Sequence, residues 1–585
     1  MIHIGFNSRC FPKTAHLPFS CYIGLLLLSL LLGVIVCLPA NAQGLGDEKK
    51  VFTRADSLRG TLTEVRTWFD VGYYDLHLTI DPNEKSLFGY NDIYFKVVQP
   101  SRTMQIDLFY NMQADSVVLN GKNYSFSREG NAVFIQFPFG ELPLNSTQKL
   151  RFYYHGKPTS AKNAPWDGGF VWQKDNNDKP WVGVACQGFG ASSWFPNKDH
   201  QSDEPDSARV SCAVPQGLFC VSNGRFLGKS TATETVNGAL FERYNWAVSY
   251  PINNYDITIN IGDYVHFGDI YVSGNDTLPL NYYVLSYNLE RAKRHFAQVK
   301  PMLQCYEQYF GRYPFWKDGF ALVETHYLGM EHQSAVAYGN RYLMGYTGYD
   351  ISTTGIGNRF DYIIIHEAGH EWWGNSVTSA DIADMWVHEG FCTYGESLYV
   401  ECMYGKNDAL KYVNGTRTRI SNDRPIIGPY GVNEEGSGDM YAKGAILLNT
   451  LRSVVGNDSL WFSIIRGIAH DFKYQIVTSK QIEQYISQKA GQDFSKIFDQ
   501  YLRHINPPKL LYKASKKGRN TELVFKWEAD VTDFDMPAAY LTTNNTPNII
   551  HPTTAQWQKI LLPNIKPDEL KFAENLYYFQ PVKQK

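Results

Sequence analysis

The chain has 585 residues, of which 44% are hydrophobic, 19% charged and 15% aromatic, with a formal net charge of −3. That length exceeds what one core supports and predicts about three domains. There is no basic excess of the kind that binds nucleic acid, so nucleic acid is excluded as an expected partner.

At the N-terminus, Arg9 and Lys13 precede the apolar run YIGLLLLSLLLGVIVCL and then Pro39-Ala40-Asn41-Ala42-Gln43. A positive region, an apolar stretch and an A-x-A site make a secretory signal over residues 1–42, cleaved after Ala42. An uncleaved membrane anchor is the alternative, because the apolar run is slightly long. The mature protein is expected to be exported, to periplasm or outside, without stable insertion in a membrane. Cys10, Cys21 and Cys37 fall in the leader, leaving Cys186, Cys212, Cys220, Cys305, Cys392 and Cys402. An exported chain permits disulfides, but six cysteines over this length are no disulfide scaffold. No C-x-x-C pair is present, so a thiolate zinc site has no support.

Residues 43–66 are polar and read as a flexible lead-in. From Tyr73 the pattern alternates with period two: in YYDLHLTID, Leu76, Leu78 and Ile80 alternate with His77 and Thr79. Similar segments, NDIYFKVVQ, TMQIDLF, AVFIQFPF and KLRFYYHG, follow between turn signals, and the texture persists to about residue 265. This predicts an N-terminal β domain over 67–265, an antiparallel saddle or sandwich.

The spacing then becomes helical in NLERAKRHFAQVKPMLQCYEQYFG, FDYIIIHEAGHEWWGN, MWVHEGFCTYGESLYVECMYG, YAKGAILLNTLRSVVG and SKQIEQYISQKAGQDFSKIFDQYLRH. Asn506-Pro507-Pro508 stops the last helix and marks a boundary. A mostly helical domain is expected over 266–507. KLLYKAS, ELVFKWEA and LYYFQPV read as strands of a small C-terminal β domain over 508–585. The fold class is multidomain α+β.

The chemistry concentrates in IIIHEAGHEWWGN, residues 363 to 375. Residues i and i+4 share a helix face, so His366 and His370 can chelate one ion, with Glu367 placed to hold a water beside it. H-E-x-x-H is a zinc-protease pattern. Alone, it leaves a buried helix with two satisfied histidines equally open. Catalytic zinc wants a third protein ligand, and Glu389 lies 19 residues beyond His370 in what reads as a second helix. His388 is a rival, but neighbours on a helix point about 100° apart and Glu389 fits the spacing. Asp384 reads either as a partner orienting a ligand histidine or as a solvated acid at a helix start.

HEAGHEWWGNSVTSADIADMWVHEGFCTYGE resembles the zinc core of the M1 (gluzincin) aminopeptidases in its H-E-x-x-H-x-W-x-G-N and W-x-x-E-G-F runs. The resemblance spans roughly residues 65 to 510 and implies a thermolysin-like catalytic domain holding one Zn2+ per chain. Leu328-Gly329-Met330-Glu331-His332 is similar to the family's G-x-M-E-N, with Leu328 and His332 departing. It implies that Glu331, with Gly329 and Met330, binds the substrate's free amino group through a charge-assisted hydrogen bond. Tyr441-Ala442-Lys443-Gly444 resembles the family's Y-x-K-G, which gives Tyr441 the role of oxyanion donor. The glycine-rich stretch before it, Gly428 to Gly438, reads as a segment able to move. ACQGFGASSWFPNKDHQSDEPDSARVS is similar to the segment where the family's N-terminal domain reaches the active site, which makes Gln187 a substrate contact.

The function implied is a zinc-dependent aminopeptidase acting on peptides, with His366, His370 and Glu389 on the metal, Glu367 as general base and Tyr441 on the oxyanion. An endopeptidase on the same zinc core is the nearest alternative, and an inactive exported binding protein the alternative from another class. Cys392, beside the metal ligands, reads as a packed thiol.

Overall fold

Alternation along the first strands becomes a two-sided sheet. The computed structural model describes residues 51–585 except Phe139 and Ala232, and the leader lies outside the described residues. Thr53–Lys585 form one compact unit. Strand Phe69–Asp81 pairs antiparallel with Ser86–Val97, and Leu76, Leu78 and Ile80 are fully buried. On its other edge it pairs with Ser207–Pro215, and that pairing is parallel, so the nine-stranded sheet is mixed. In a four-stranded sheet the inner strand Pro180–Ala185 delivers Cys186 and Gln187 to the next layer.

From Tyr264 the chain enters a five-stranded sheet whose edge strand is Gly329–Met330. Its strand Phe320–Glu324 is buried throughout because both faces are covered. Leu322 and Phe320 pack into the helical core, while Ala321 and Val323 pack into the core of the first β region. The edge strand is thereby held between two cores. Strands Lys509–Lys517, Asn520–Glu528, Gln558–Leu562 and Gln580–Lys583 form a four-stranded sheet at the C-terminus. Its Leu510, Leu523 and Trp527 belong to the same core as the helices.

Three expectations differ from the structure. The described part of the lead-in is ordered: helices Arg54–Gly60 and Glu64–Thr67 run there, the first opened by a capping box between Thr53 and Asp56. Arg66 is fully buried, 2.6 Å from Asp107, and donates to the carbonyls of Leu58 and Arg59. One buried arginine draws a polar segment inward, and composition does not reveal that its partners include backbone carbonyls. In LYYFQPV only Gln580–Lys583 is strand; Tyr577 and Phe579 are buried as core plugs instead. The glycine-rich stretch before Tyr441 is pinned rather than free. Gly431 N donates to Asp381, Tyr430 Oη to Asp384 and Thr61 Oγ1 to the Gly431 carbonyl.

Of the six cysteines among the described residues, Cys305 and Cys402 form a disulfide between helices Val299–Phe310 and Trp386–Tyr404. Cys186, Cys212, Cys220 and Cys392 are free and buried. Among the described residues no helix is long and apolar enough to cross a membrane.

Candidate active site and metal centre

The histidine helix, Tyr362–Gly369, starts on a strong cap. Asp361 accepts from the Ile363 and Ile364 amides and also from Tyr338 Oη and Asn340 Nδ2. That network fixes the direction of a short helix whose flanks, Ile363, Ile364 and Ile365, are buried. His366 lies on its last turn and His370 is its C-cap.

The second helix, Trp386–Tyr404, brings Glu389 back to them. His366 Nε2 and His370 Nε2 lie 3.4 Å apart, and Glu389 Oε2 lies 3.4 and 3.3 Å from them. Donor atoms 2.0–2.1 Å from a tetrahedral zinc stand about 3.3–3.4 Å apart, so this triangle is one face of such a site. The other ring nitrogens are committed. His366 Nδ1 is 2.8 Å from Glu396 Oε1, and His370 Nδ1 is 3.0 Å from the Trp373 carbonyl oxygen. Both acceptors require N–H at Nδ1, which leaves a lone pair on each Nε2. Glu389 Oε2 is buried without a hydrogen-bond partner. With both histidines neutral, three lone-pair donors face one point, an arrangement that fits a divalent cation. Burial opposes charge on His366, yet the neighbouring Glu389 and Glu396 carboxylates outweigh it and push the imidazole up to about 10. The pocket favours positive charge.

His388 is not a ligand. Its Nε2 accepts from the Ser379 amide at 2.9 Å, and burial pushes it down to about 3. Asp384 touches neither ligand histidine; it accepts from Tyr430 Oη at 2.7 Å and from the Ser479 amide at 3.0 Å. The residue that orients His366 is Glu396, two helical turns beyond Glu389 on the same face. Tyr412 Oη holds its other oxygen at 2.6 Å. The i+7 spacing from Glu389 is the signal that could have found it. Cys392 is buried, with Sγ 3.6 Å from the Trp373 carbonyl oxygen.

Glu367 faces the edge strand. A Cβ on Gly329 would lie 2.6 Å from Glu367 Oε1, so only glycine lets the backbone pass there. Burial raises the Glu367 carboxyl to about 7 against the lowering pull of His366 and His370. A base tuned near neutrality suits proton transfer at neutral pH.

Glu331 follows that strand. Its Oε1 accepts from the Gln187 amide and from Tyr255 Oη, the latter at 3.1 Å. Donor atoms of Glu331, Glu367 and His370 lie within 4.8 Å of one another. Met330 lies beside them on the cleft wall. Tyr255, from the turn Asn254–Asp256, carried no motif and was not legible in the sequence.

Tyr441 caps the helix Ala442–Val455, with its ring centroid 6.0 Å from that of His366. Two motif glycines explain its approach. A Cβ on Gly444 would lie 3.0 Å from Gly390 Cα, and one on Gly390 would lie 3.2 Å from the Met440 carbonyl oxygen. The glutamate and tyrosine helices thus meet backbone to backbone beside the ligands. Lys443 donates to the Ile505 carbonyl at 2.6 Å and anchors the same helix to the end of the helical region.

His366, Glu367, His370, Glu389, Gly329, Met330, Glu331 and Tyr441 line one cleft, with Gln187, Leu328, Glu435 and Trp166 completing its wall. Buried histidine and glutamate donors, a neighbouring carboxylate base and an open cleft define a metallopeptidase-type centre. Residues 294–501 match the peptidase family M1 domain, so the chain carries an M1 peptidase domain. It is 21% identical over 463 residues to "Probable aminopeptidase 1" of Saccharolobus solfataricus, covering 75% of this chain and 54% of that protein. It is 29% identical over 193 residues to aminopeptidase N of Canis lupus familiaris, covering 30% of this chain and 19% of that one. The chain thus spans about half or less of the curated relatives it matches. The fold is also that of an M1 zinc metallopeptidase from Deinococcus radiodurans, at a TM-score of 0.61 and 20% identity, over 75% of this chain and 95% of that one.

Proposed function

We propose that this protein is an exported zinc aminopeptidase that removes the first residue of peptides, with one Zn2+ on His366, His370 and Glu389. The observation that carries the exopeptidase reading is Glu331, whose carboxylate sits within 4.8 Å of the donor atoms of Glu367 and His370. A fixed carboxylate at that distance selects a peptide that begins with an ammonium.

When bound, zinc supplies Lewis-acid chemistry, polarising a water and the scissile carbonyl. The chain's own residues do the rest. Glu367 takes the proton of the attacking water and delivers it to the leaving amine. The Tyr441 hydroxyl donates to the oxygen on which charge develops. Glu331 and Gln187 hold the substrate's ammonium, so that the first peptide bond lies over Glu367. Export is supported by the leader pattern and by the Cys305–Cys402 disulfide, which persists in oxidising compartments.

The test compares aminoacyl peptides with their N-acetylated forms, with and without a chelator. The expected result is chelator-sensitive release of the first residue from free peptides alone. Equal cleavage of the acetylated peptides would establish an endopeptidase instead. No turnover, and no zinc at one per chain, would favour the binding protein.

A further inference from the structure

The cleft wall holds four carboxylates, those of Glu331, Glu367, Glu389 and Glu435, and no lysine or arginine. Three of them have work in the reaction proposed above. Glu435 has none. A divalent ion offsets two of the four charges and the substrate's ammonium offsets a third, so one negative charge is left facing the ligand.

Its position says which part of the ligand meets it. Gln187 donates to Glu331, the carboxylate that faces the ammonium. A Cβ on the next residue, Gly188, would lie 3.3 Å from Glu435 Oε1. Glu435 therefore stands beside the amine-binding pair, on the side of the substrate's first residue. The loop that carries it is fixed. Asn433 Nδ2 donates to the Gly188 carbonyl at 3.1 Å, and the Ser437 amide donates to the Pro425 carbonyl at 2.8 Å. Gly428 and Gly436 allow the two arms of the loop to touch, since a Cβ on Gly428 would lie 2.5 Å from the Glu434 carbonyl oxygen. The loop that carries this carboxylate need not be ordered on binding, which favours affinity for its partner. Met330, Met440 and the exposed Trp166 line the same cleft and offer apolar surface to a methylene stem.

We propose that Glu435 is a specificity residue that selects a cationic side chain, arginine or lysine, on the first residue of the substrate; this rests on the aminopeptidase reading. The two N–H edges of a guanidinium match a carboxylate, so arginine is favoured over lysine.

The experiment uses the zinc-loaded full-length protein and fluorogenic arginyl, citrullinyl, lysyl, norleucyl and leucyl amides. Citrulline keeps the shape of arginine without its charge. Expected is a kcat/KM for arginine about ten- to hundredfold above citrulline, the range of a charge-assisted hydrogen bond. In Glu435→Gln that ratio collapses toward one, with zinc content and melting temperature matching wild type. Should Glu435→Gln lose zinc or fold poorly, Glu435→Asp is the second variant and retains the arginine preference. Leucyl turnover with no advantage of arginine over citrulline in the wild type would overturn this proposal while leaving the aminopeptidase reading intact. So would an equal loss on all five substrates in Glu435→Gln, which would make Glu435 an acceptor of the ammonium. Turnover of none of the five would overturn both.

Discussion

Glu396 Oε1 lies 2.8 Å from His366 Nδ1, and its Oε2 receives the Tyr412 hydroxyl at 2.6 Å. The carboxylate is fully buried and is fixed at both ends. It holds the imidazole in the tautomer that aims Nε2 at His370 and Glu389. Replacing such a partner typically costs 10–100-fold in metal affinity. Glu396→Gln should therefore weaken zinc binding by about that factor, read by competition with a chromophoric chelator. At saturating zinc, turnover should recover much of its wild-type value, because no group that touches substrate is lost. Unchanged zinc affinity would show that Glu396 only packs.

Gly329 lets the backbone of its strand pass close to Glu367. Gly329→Ala would set a methyl 2.6 Å from Glu367 Oε1 and 2.9 Å from Ile363 Cγ2. Ile363 is locked in the core, so the carboxylate must move. A displacement of order 1 Å at a catalytic group costs about a hundredfold. Gly329→Ala should keep one zinc per chain, since neither His366 nor His370 is displaced, and lose about that much in kcat. Loss of zinc instead would place the strain on the ligands.

The metal triad was legible because its spacing is a local property: i, i+4 on one helix and a glutamate on the next. The glycines of Trp386-Val387-His388-Glu389-Gly390-Phe391 and Tyr441-Ala442-Lys443-Gly444 were visible as motif letters, but their reason was not. Gly390 and Gly444 face each other across two helices, a fact of packing. Glu396 was readable in principle, two turns from Glu389. Tyr255 and Arg66 were not, since their partners lie 76 and 41 residues away in the chain. Alternation marked early strands such as Phe69–Asp81, but strands Tyr264–Ser273 and Asp276–Leu285 lie beyond the expected boundary at 265, and the parallel pairing of Phe69–Asp81 with Ser207–Pro215 depends on a long return of the chain.

The Cys305–Cys402 bond closes a separation of 97 residues and ends on the helix that carries Glu389. A loop near that length is stabilised by about 4–5 kcal/mol in the chain-entropy model, and removal of such bonds typically costs about 2–5 kcal/mol. Cys305→Ser with Cys402→Ser should lower the apparent melting temperature by several degrees and speed thermal inactivation. Denatured protein should titrate two further thiols only after reduction. An unaltered melting temperature with those thiols free from the start would mean that the bond does not form.

His332 sits next to Glu331, fully buried, with both ring nitrogens lacking a hydrogen-bond partner. Burial pushes its imidazole down to about 3, against about 6.5 for an unfolded histidine. The sign follows. Below pH 6.5 the unfolded chain binds this proton and the folded chain does not, so acid favours unfolding. The contribution of neutral His332 is complete above about pH 6.5 and drains as the pH falls toward 3, at about 1.4 kcal/mol per pH unit. His332→Asn removes the titrating group and restores the asparagine of the G-x-M-E-N pattern. Chemical denaturation of both metal-free proteins at pH 7, 6 and 5 isolates the difference, because the ligand histidines titrate in both. The wild type should lose about 0.7 kcal/mol more than the variant between pH 7 and 6, and about 1.2 kcal/mol more between pH 6 and 5. Parallel pH profiles would show that His332 is protonated in the fold.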